Sequence, residues 1–113
     1  MARILVVDDQ PDALLAARAA LTAAGHRCVL AADGEQALEH LSAGGFDAVV
    51  LDPAMPLHDG WPVLNAAAVP VVVVSASPVP GDGHAAACLP KPCPADALVE
   101  AVAAALAAHG AGE

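Results

Sequence analysis

The sequence predicts an α/β fold in which a doubly wound, five-stranded parallel sheet lies between two layers of helices. Short apolar runs alternate along the chain with longer segments whose apolar residues have helical spacing. Two of these runs, residues 4–7 and 71–74, contain no alternating polar residues, which is typical of strands buried on both faces. The length of 113 residues suits one domain, residues 1–113, with no room for a second folded unit.

The first strand and helix have clear start and stop signals. Residues 4–7 predict the first strand, and the following helix is expected to have Asp9 as its N-cap and Pro11 near its first turn. Gly25 is expected to end this helix, because glycine readily takes the backbone conformation found just after helix ends. Residues 27–31 then predict a second, weaker strand.

The second helix is predicted from its capping residues. Asp33, followed three residues later by Gln36, resembles a capping box, and the helix is expected to continue to Gly44-Gly45. Residues 48–51 predict the third strand, which ends at Asp52.

The second half of the chain begins with a loop of prolines and glycines over residues 53–60. A short helix is expected over 63–68, a fourth strand over 71–74 and a minimal fifth strand at 88–89. Pro94 is expected to start a final helix that Gly110 ends. This alternation implies parallel strands joined by right-handed crossovers.

The charge of the chain argues against nucleic-acid binding. The formal net charge is −9 and only four residues are basic, so the chain would be repelled by nucleic-acid phosphates. We therefore expect no nucleic-acid partner. Lys91 is the only lysine, which makes its position between Pro90 and Pro92 informative.

Other features of the sequence favour a cytoplasmic protein. The valine run at 71–74 is far too short to cross a bilayer, and the N-terminal apolar stretch is too short for a secretory signal. We therefore expect no membrane partner. Cys28, Cys88 and Cys93 form neither an even set nor a C-x-x-C pair, so disulfide and zinc interpretations are both weak.

Polar side chains follow the predicted strands at their carboxyl ends, where ligands bind in open α/β sheets. Asp8 and Asp9 follow the first strand, Asp52 the third, Ser75 the fourth and Lys91 the fifth. Three carboxylates brought together repel one another and favour a bound cation. Oxygen ligands without histidine or cysteine select a hard ion, so the sequence predicts Mg²⁺ at this edge of the sheet.

These residues resemble the receiver domain of bacterial two-component response regulators. The matching motifs, in order, are Asp8-Asp9, the segment 52–60 (family form D-x-x-M-P-x-x-D-G), Ser75-Ala76 and Lys91-Pro92. The resemblance covers essentially the whole chain. It implies a flavodoxin-like sheet with strand order 2-1-3-4-5 and a single-domain, chemotaxis-regulator-like signalling protein.

The resemblance also implies a reaction. Asp52 would accept a phosphoryl group from a phosphohistidine of a sensor histidine kinase or a histidine phosphotransfer protein. Asp9, Asp52 and the backbone carbonyl of Ala54 would bind Mg²⁺ directly, while Asp8 would act through a water molecule or hold the ligands in place. Such a protein is a phosphorelay switch and not an enzyme, apart from catalysing its own phosphorylation and dephosphorylation.

Two further residues would contact the phosphoryl group. Lys91 resembles the basic residue that contacts the acceptor Asp52 at rest and a phosphoryl oxygen afterwards, held by a Lys-Pro bond that the family typically keeps cis. Ser75 would be the hydroxyl that turns toward the phosphoryl group. Simpler interpretations stay open, because Asp9 can cap a helix and Ser75 can satisfy nearby backbone.

The chain departs from the family pattern in two places. Receivers usually carry an aromatic residue three positions before the lysine, where this chain has Cys88. The segment between Ser75 and Lys91 is short and contains prolines and glycines, so the fourth helix of the family is expected to be reduced or missing.

These departures favour one alternative function, a protein-interaction module that keeps the receiver fold and signals without phosphorylation. A hydrolase of the haloacid dehalogenase type also uses an aspartate nucleophile with Mg²⁺. It normally needs a second aspartate two residues further on, and this chain has Ala54 there.

Overall fold

Strands and helices alternate along the chain in a computed structural model, which describes residues 2–52, 62–63, 66–76 and 85–111. Residues 109–111 are described by their backbone alone. The elements are β1 (Arg3–Val7), α1 (Pro11–Ala23), β2 (Arg27–Ala31), α2 (Gly34–Ala43), β3 (Ala48–Leu51), β4 (Val71–Ser75), β5 (Ala87–Pro90) and α3 (Ala95–Ala111). Each predicted strand is present, and the bounds differ by at most one residue at either end.

The five strands form one parallel sheet in the order β2-β1-β3-β4-β5. This confirms the predicted fold class and strand order. The central strands β3 and β4 are buried along their whole length, whereas residues of the edge strand β5 alternate between half-buried and exposed. The continuous apolar runs of the sequence are therefore the strands that have helices or other chain on both faces.

Alternate residues of β1 pack into two separate cores, one on each face of the sheet. Ile4 lies in a cluster with Leu21 of α1 and Val102 of α3. Leu5, its neighbour, lies on the opposite face in a cluster with Ala37 of α2. The period of two along a strand thus gives the sheet two apolar faces. Helices α1 and α3 together cover the face on which Ile4 lies.

The start of α1 differs from the prediction. Gln10, not Asp9, occupies the N-cap position, and no side chain caps the helix there. The reason is that Asp8 Oδ1 already accepts the backbone N–H of Gln10 at 3.0 Å, which leaves Asp9 exposed and one residue too early to cap. The end is as predicted, since Gly25 has φ 95° just after the C-cap.

The predicted cap of α2 is present. Asp33 accepts the backbone N–H of Gln36 at 2.8 Å, and Gln36 Oε1 in turn accepts the backbone N–H of Ala32 at 3.0 Å. The return bond thus reaches one residue before the N-cap instead of the N-cap itself. Gly44 has φ 80° at the C-cap, as its place at the end of the pattern predicts.

The final helix continues further than predicted, because α3 passes through Gly110 to Ala111. A glycine inside a helix costs only about 1 kcal/mol relative to alanine, so by itself it does not force a helix to end. No helix in the described part of the chain is long and apolar enough to cross a membrane.

Two predictions about helices concern residues that the structure describes only in part, and in one of them, the short helix predicted over 63–68, residues 67 and 68 are described and not helical. Pro62, Val63 and Ala66 are helical, and the backbone N–H of Ala67 donates to Val63 O at 3.1 Å. Residues 64–65 of this short helix lie outside the described ranges. The prediction of a reduced or missing helix concerns the segment between Ser75 and Lys91, of which residues 77–84 lie outside the described ranges.

Candidate functional site

The carboxyl ends of three strands bring the predicted site residues to one edge of the sheet. Val7 pairs with Leu51 at the ends of β1 and β3, so the next residues, Asp8 and Asp52, emerge side by side. The backbone N–H of Asp52 donates to Val7 O at 3.0 Å and extends this pairing by one step. The register of two parallel strands therefore sets the separation of the two carboxylates.

Lys91 lies between these two carboxylates. Its Nζ is 2.7 Å from Asp8 Oδ2 and 2.8 Å from Asp52 Oδ2. The side chains of Asp8, Asp52 and Lys91 are 8%, 12% and 20% exposed, so both ion pairs are largely shielded from water. Each pair is also a charge-assisted hydrogen bond, which is stronger than a neutral one.

The carboxylates keep Lys91 in its charged form. Burial by itself would lower the pKa of the Lys91 ammonium, but hydrogen bonds and charge from Asp52 and Asp8 outweigh burial and place the pKa above its ordinary value. Lys91 is therefore a fixed positive charge at neutral pH, directed at the oxygen atoms that a phosphoryl group or a metal ion would approach.

Asp8 is held through both of its oxygen atoms. Oδ2 accepts a hydrogen bond from Lys91, and Oδ1 accepts one from the backbone N–H of Gln10 at 3.0 Å. The backbone N–H of Asp8 donates to Ala31 O at 3.2 Å, which ties the residue to the end of β2. Asp8 is thus a rigid support that fixes the position of Lys91 next to Asp52.

Asp8, Asp9 and Asp52 form an acidic cluster in which each can offer one carboxylate oxygen, with these oxygens all within 4.8 Å of one another. Asp9 is exposed, whereas Asp8 is buried. The donor set contains only oxygen, which suits a hard divalent cation. With Lys91 included, the four side chains carry a net charge of −2, so the cluster can still attract a cation.

The structure brings together Asp8, Asp9, Asp52 and Lys91, four of the residues that the sequence analysis selected. Ser75 lies at the end of β4 and is buried, and its carbonyl accepts the backbone N–H of Lys91 at 3.0 Å. The peptide bond between Lys91 and Pro92 is cis, as the resemblance implied.

One predicted metal ligand has no described position. Ala54, whose carbonyl was expected to bind the metal, lies outside the described residues, as do residues 53–60 of the matching motif.

The sequence reasoning missed the contact between Lys91 and Asp8. It expected Lys91 to contact Asp52 and gave Asp8 a role toward the metal alone. The signal was present, since a chain with one lysine and an acidic doublet at the same sheet edge leaves that lysine as the nearest cation for either acid.

Comparisons with known proteins place this chain in one family. A family model for the response regulator receiver domain matches residues 4–103. The transcriptional regulatory protein TcrA of Mycobacterium tuberculosis is 44% identical over 61 residues, which are 54% of this chain and 24% of TcrA. The transcriptional regulatory protein PrrA of the same organism is 40% identical over 79 residues, which are 66% of this chain and 34% of PrrA. This chain thus spans well under half the length of either relative.

A solved structure is similar over nearly the whole chain. The response regulator receiver protein from Burkholderia phymatum has a TM-score of 0.82 and 29% identity, and the match covers 95% of this chain and 96% of that one. The strand order and the acidic edge of the sheet are thus accompanied by a family match over most of the sequence. This chain belongs to the response regulator receiver domain family.

Proposed function

We propose that this single receiver domain acts in the cytoplasm as the phosphoacceptor switch of a two-component phosphorelay, receiving a phosphoryl group on Asp52. The observation that carries the proposal is the position of Asp52, which is 2.8 Å from the Lys91 ammonium and within the acidic cluster. A carboxylate nucleophile, a fixed cation and a group of hard oxygen ligands are the parts that phosphoryl transfer to an acid requires.

The transfer follows from the chemistry of Asp52. One of its carboxylate oxygens attacks the phosphorus of a phosphohistidine, the P–N bond breaks, and the electron pair leaves with the imidazole nitrogen of the donor. The product is an acyl phosphate on Asp52. Lys91 balances charge on the phosphoryl oxygens, and Asp8 positions Lys91 for that contact.

Mg²⁺ is the metal that we propose for the acidic cluster. Asp9, Asp52 and the carbonyl of Ala54 would bind it directly, with Asp8 acting through water or as a support for the ligands. When bound, it supplies positive charge that stabilises the phosphoryl oxygens during transfer. The all-oxygen donor set and the net charge of the cluster support this choice.

The switch itself would use Ser75 and the partners of the domain. The Ser75 hydroxyl would turn toward the phosphoryl group and bias an existing equilibrium between two conformations. Receiver domains of response regulators interact with kinases and output domains, and they are signalling switches rather than conventional enzymes. For this chain we propose a sensor histidine kinase or a histidine phosphotransfer protein as donor, and a protein as output partner.

Incubation with acetyl phosphate and Mg²⁺ is expected to add the mass of one phosphoryl group, as measured by intact-protein mass spectrometry. The Asp52→Asn variant is expected to remain unlabelled because it lacks the nucleophilic carboxylate. Asp12→Asn, which removes an exposed acid from the first turn of α1, is the matched control and should label like the wild type. Labelling of Asp52→Asn to the same extent would refute the assignment of the acceptor.

Replacing Lys91 with methionine is expected to raise the affinity for Mg²⁺ by about ten-fold, which corresponds to about 1.4 kcal/mol. The ammonium competes with a metal ion for Asp8 and Asp52, and at ~4 Å one unit charge is worth up to about 4 kcal/mol near a protein surface. Calorimetric titration with MgCl₂ measures the effect.

The control for the magnesium titration is Arg27→Met, which removes the same charge from an exposed position at the amino end of β2. Equal magnesium affinities for the two variants would mean that Lys91 and the metal do not share ligands.

The phosphorylation-independent interaction module is kept as a second candidate because of Cys88. It is exposed on β5 at the position where receivers usually carry the aromatic residue that follows the hydroxyl inward. A partner whose affinity is the same for the phosphorylated and unphosphorylated domain would favour this candidate. A change in affinity upon phosphorylation would favour the switch.

A further inference from the structure

A cavity of about 490 Å³ lies between α1, α3 and the sheet, next to the acidic cluster. The wall on the α1 side consists of alanines, and the strands contribute valines such as Val6 and Val50. Leu98 of α3 also lines the cavity, as do Asp8, Asp52 and Lys91, whose ammonium lies within hydrogen-bonding distance of both carboxylates. This volume falls within the range of about 300 to 1,000 Å³ that is usual for small-molecule sites in proteins.

The cavity exists because one face of α1 carries only methyl side chains. Ala13, Ala16, Ala17 and Ala20 follow the i, i+3, i+4, i+7 spacing that places residues on one side of a helix. A different side of the same helix carries Leu14 and Leu21, which are buried in the core. Of the four alanines, Ala17 also packs against the core cluster, while the short side chains of this face border the cavity.

The charged groups that line the cavity form one cluster, and their sum is negative. Asp8 and Asp52 carry two negative charges against the single positive charge of Lys91, and Asp9 adds a third negative charge to the same cluster. An ammonium group next to this cluster would be attracted, whereas a carboxylate would be repelled. The remaining lining is mainly apolar and suits an aliphatic body.

The length of the alanine wall limits the size of the body. Ala13 and Ala20 are separated by seven helical residues, or about 10 Å along the helix axis. An unbranched chain of about six carbons would lie along that wall without extending past it.

We propose that this cavity is a binding site for a small primary amine with an unbranched aliphatic body. The ammonium lies next to Asp8 and Asp52, and the chain lies between the alanine face of α1 and Leu98 of α3. This goes beyond the proposed function, because binding of the amine needs no phosphoryl transfer. One consequence does rest on the proposed function: a bound amine would compete with a divalent cation for the same carboxylates and so reduce phosphorylation.

The test is a titration of the ¹⁵N-labelled protein with n-hexylamine at neutral pH and constant ionic strength, followed by amide chemical shifts. Saturable shifts are expected at amides of α1 and at Leu98. Affinity is expected to rise by about four-fold for each methylene from propylamine to hexylamine, since each buried CH₂ is worth about 0.8 kcal/mol. n-Hexanol and hexanoate, which lack the positive charge, should bind more weakly.

Two pairs of variants separate the body of the amine from its charge. Ala17→Leu extends a side chain into the cavity and should weaken hexylamine binding by about ten-fold or more, whereas Ala19→Leu, the same change on an exposed position of α1, should leave it within about two-fold. Ala20→Val gives a second, smaller change within the cavity in case Ala17→Leu does not fold. Asp8→Asn should weaken binding of hexylamine but not of hexanol, and Asp12→Asn should change neither.

Three results would overturn the proposal. They are the absence of saturable shifts with hexylamine, equal affinities for hexylamine and hexanol, and an unchanged affinity in folded Ala17→Leu and Ala20→Val. Failure of the proposed function is distinguishable from these, because a wild-type domain that acetyl phosphate does not label could still bind hexylamine in the same titration.

Discussion

At neutral pH, the Lys91→Met variant is expected to lose about 2 kcal/mol of unfolding free energy relative to the wild type. Removing one partner of a fully buried ion pair costs about 3 to 5 kcal/mol, and the 20% exposure of the Lys91 side chain reduces that cost. The loss arises because Asp8 and Asp52 would remain close together and shielded from water, with no ammonium between them. Urea unfolding followed by circular dichroism measures the difference.

The stability that Lys91 contributes is expected to depend on pH in the alkaline range. A group whose pKa is raised by folding binds its proton more tightly in the native state, so its contribution is complete below the unfolded pKa, near 10.5, and is lost as pH rises through the higher folded pKa. The difference between wild type and Lys91→Met should therefore shrink only above about pH 10.5.

Arg27→Met is the control for the stability measurement, because Arg27 is exposed and surface substitutions usually change stability by less than about 0.5 kcal/mol. If Lys91→Met and Arg27→Met were equally stable at neutral pH, the two ion pairs would contribute nothing measurable. If the difference in unfolding free energy between the wild type and Lys91→Met persisted unchanged well above pH 10.5, it would arise from packing of the methionine and not from the lost charge.

Leu21→Ala is expected to lower the unfolding free energy by about 3 kcal/mol, within the range of about 2 to 5 kcal/mol for truncation of a buried leucine. Leu21 is fully buried on α1 and packs in the core cluster that joins β1 to α3. Few neighbours can move to fill the resulting space, because the valines of the sheet are fixed by strand pairing. Urea denaturation at constant temperature provides the measurement.

Leu15, six residues earlier on the same helix, provides the matched comparison. It is 50% exposed, so Leu15→Ala removes the same atoms from a position that is largely in water and should cost less than about 1 kcal/mol. Similar losses for the two variants would contradict the expected role of burial, because the change in helix propensity from leucine to alanine is slightly favourable at both positions.

Lys91 accounts for the close approach of the carboxylates in the acidic cluster. Lys91 reduces the repulsion between Asp8 and Asp52 before any ligand binds, so the domain can fold with these carboxylates close together. The remaining negative charge is available to a metal ion or, in our proposal for the cavity, to an ammonium group. Both ligands would therefore bind the same carboxylates. Their competition would couple the cavity to the proposed phosphoryl transfer.

Much of the fold could be predicted because it depends on local pattern. The continuous apolar runs at β1, β3 and β4 require cover on both faces, and the alternation with helical segments then requires a parallel sheet. The same topology places every strand-end residue at one edge, which is why Asp8, Asp52 and Lys91 could be selected before any distance was known.

Helix ends were predicted less well because they depend on competition between neighbouring groups. Asp9 has the right side chain for an N-cap, but Asp8 takes the backbone N–H of Gln10 first, and the helix starts one residue later. Gly110 resembles a stop signal, yet α3 continues through it because a single glycine costs too little to end a helix.

The pattern of the sequence by itself determined the strands, their parallel arrangement, the apolar faces and the residues that end each strand, since these follow from periodicity and from the alternation of strands with helices. The order of the strands in the sheet was predicted only from the family resemblance. Tertiary structure alone decided that Lys91 bridges Asp8 as well as Asp52, because hydrogen-bond geometry between residues 83 apart is set by strand register. It also decided that the alanines of α1 border an open cavity, because whether a small side chain leaves a space depends on how closely the facing helix and sheet approach it.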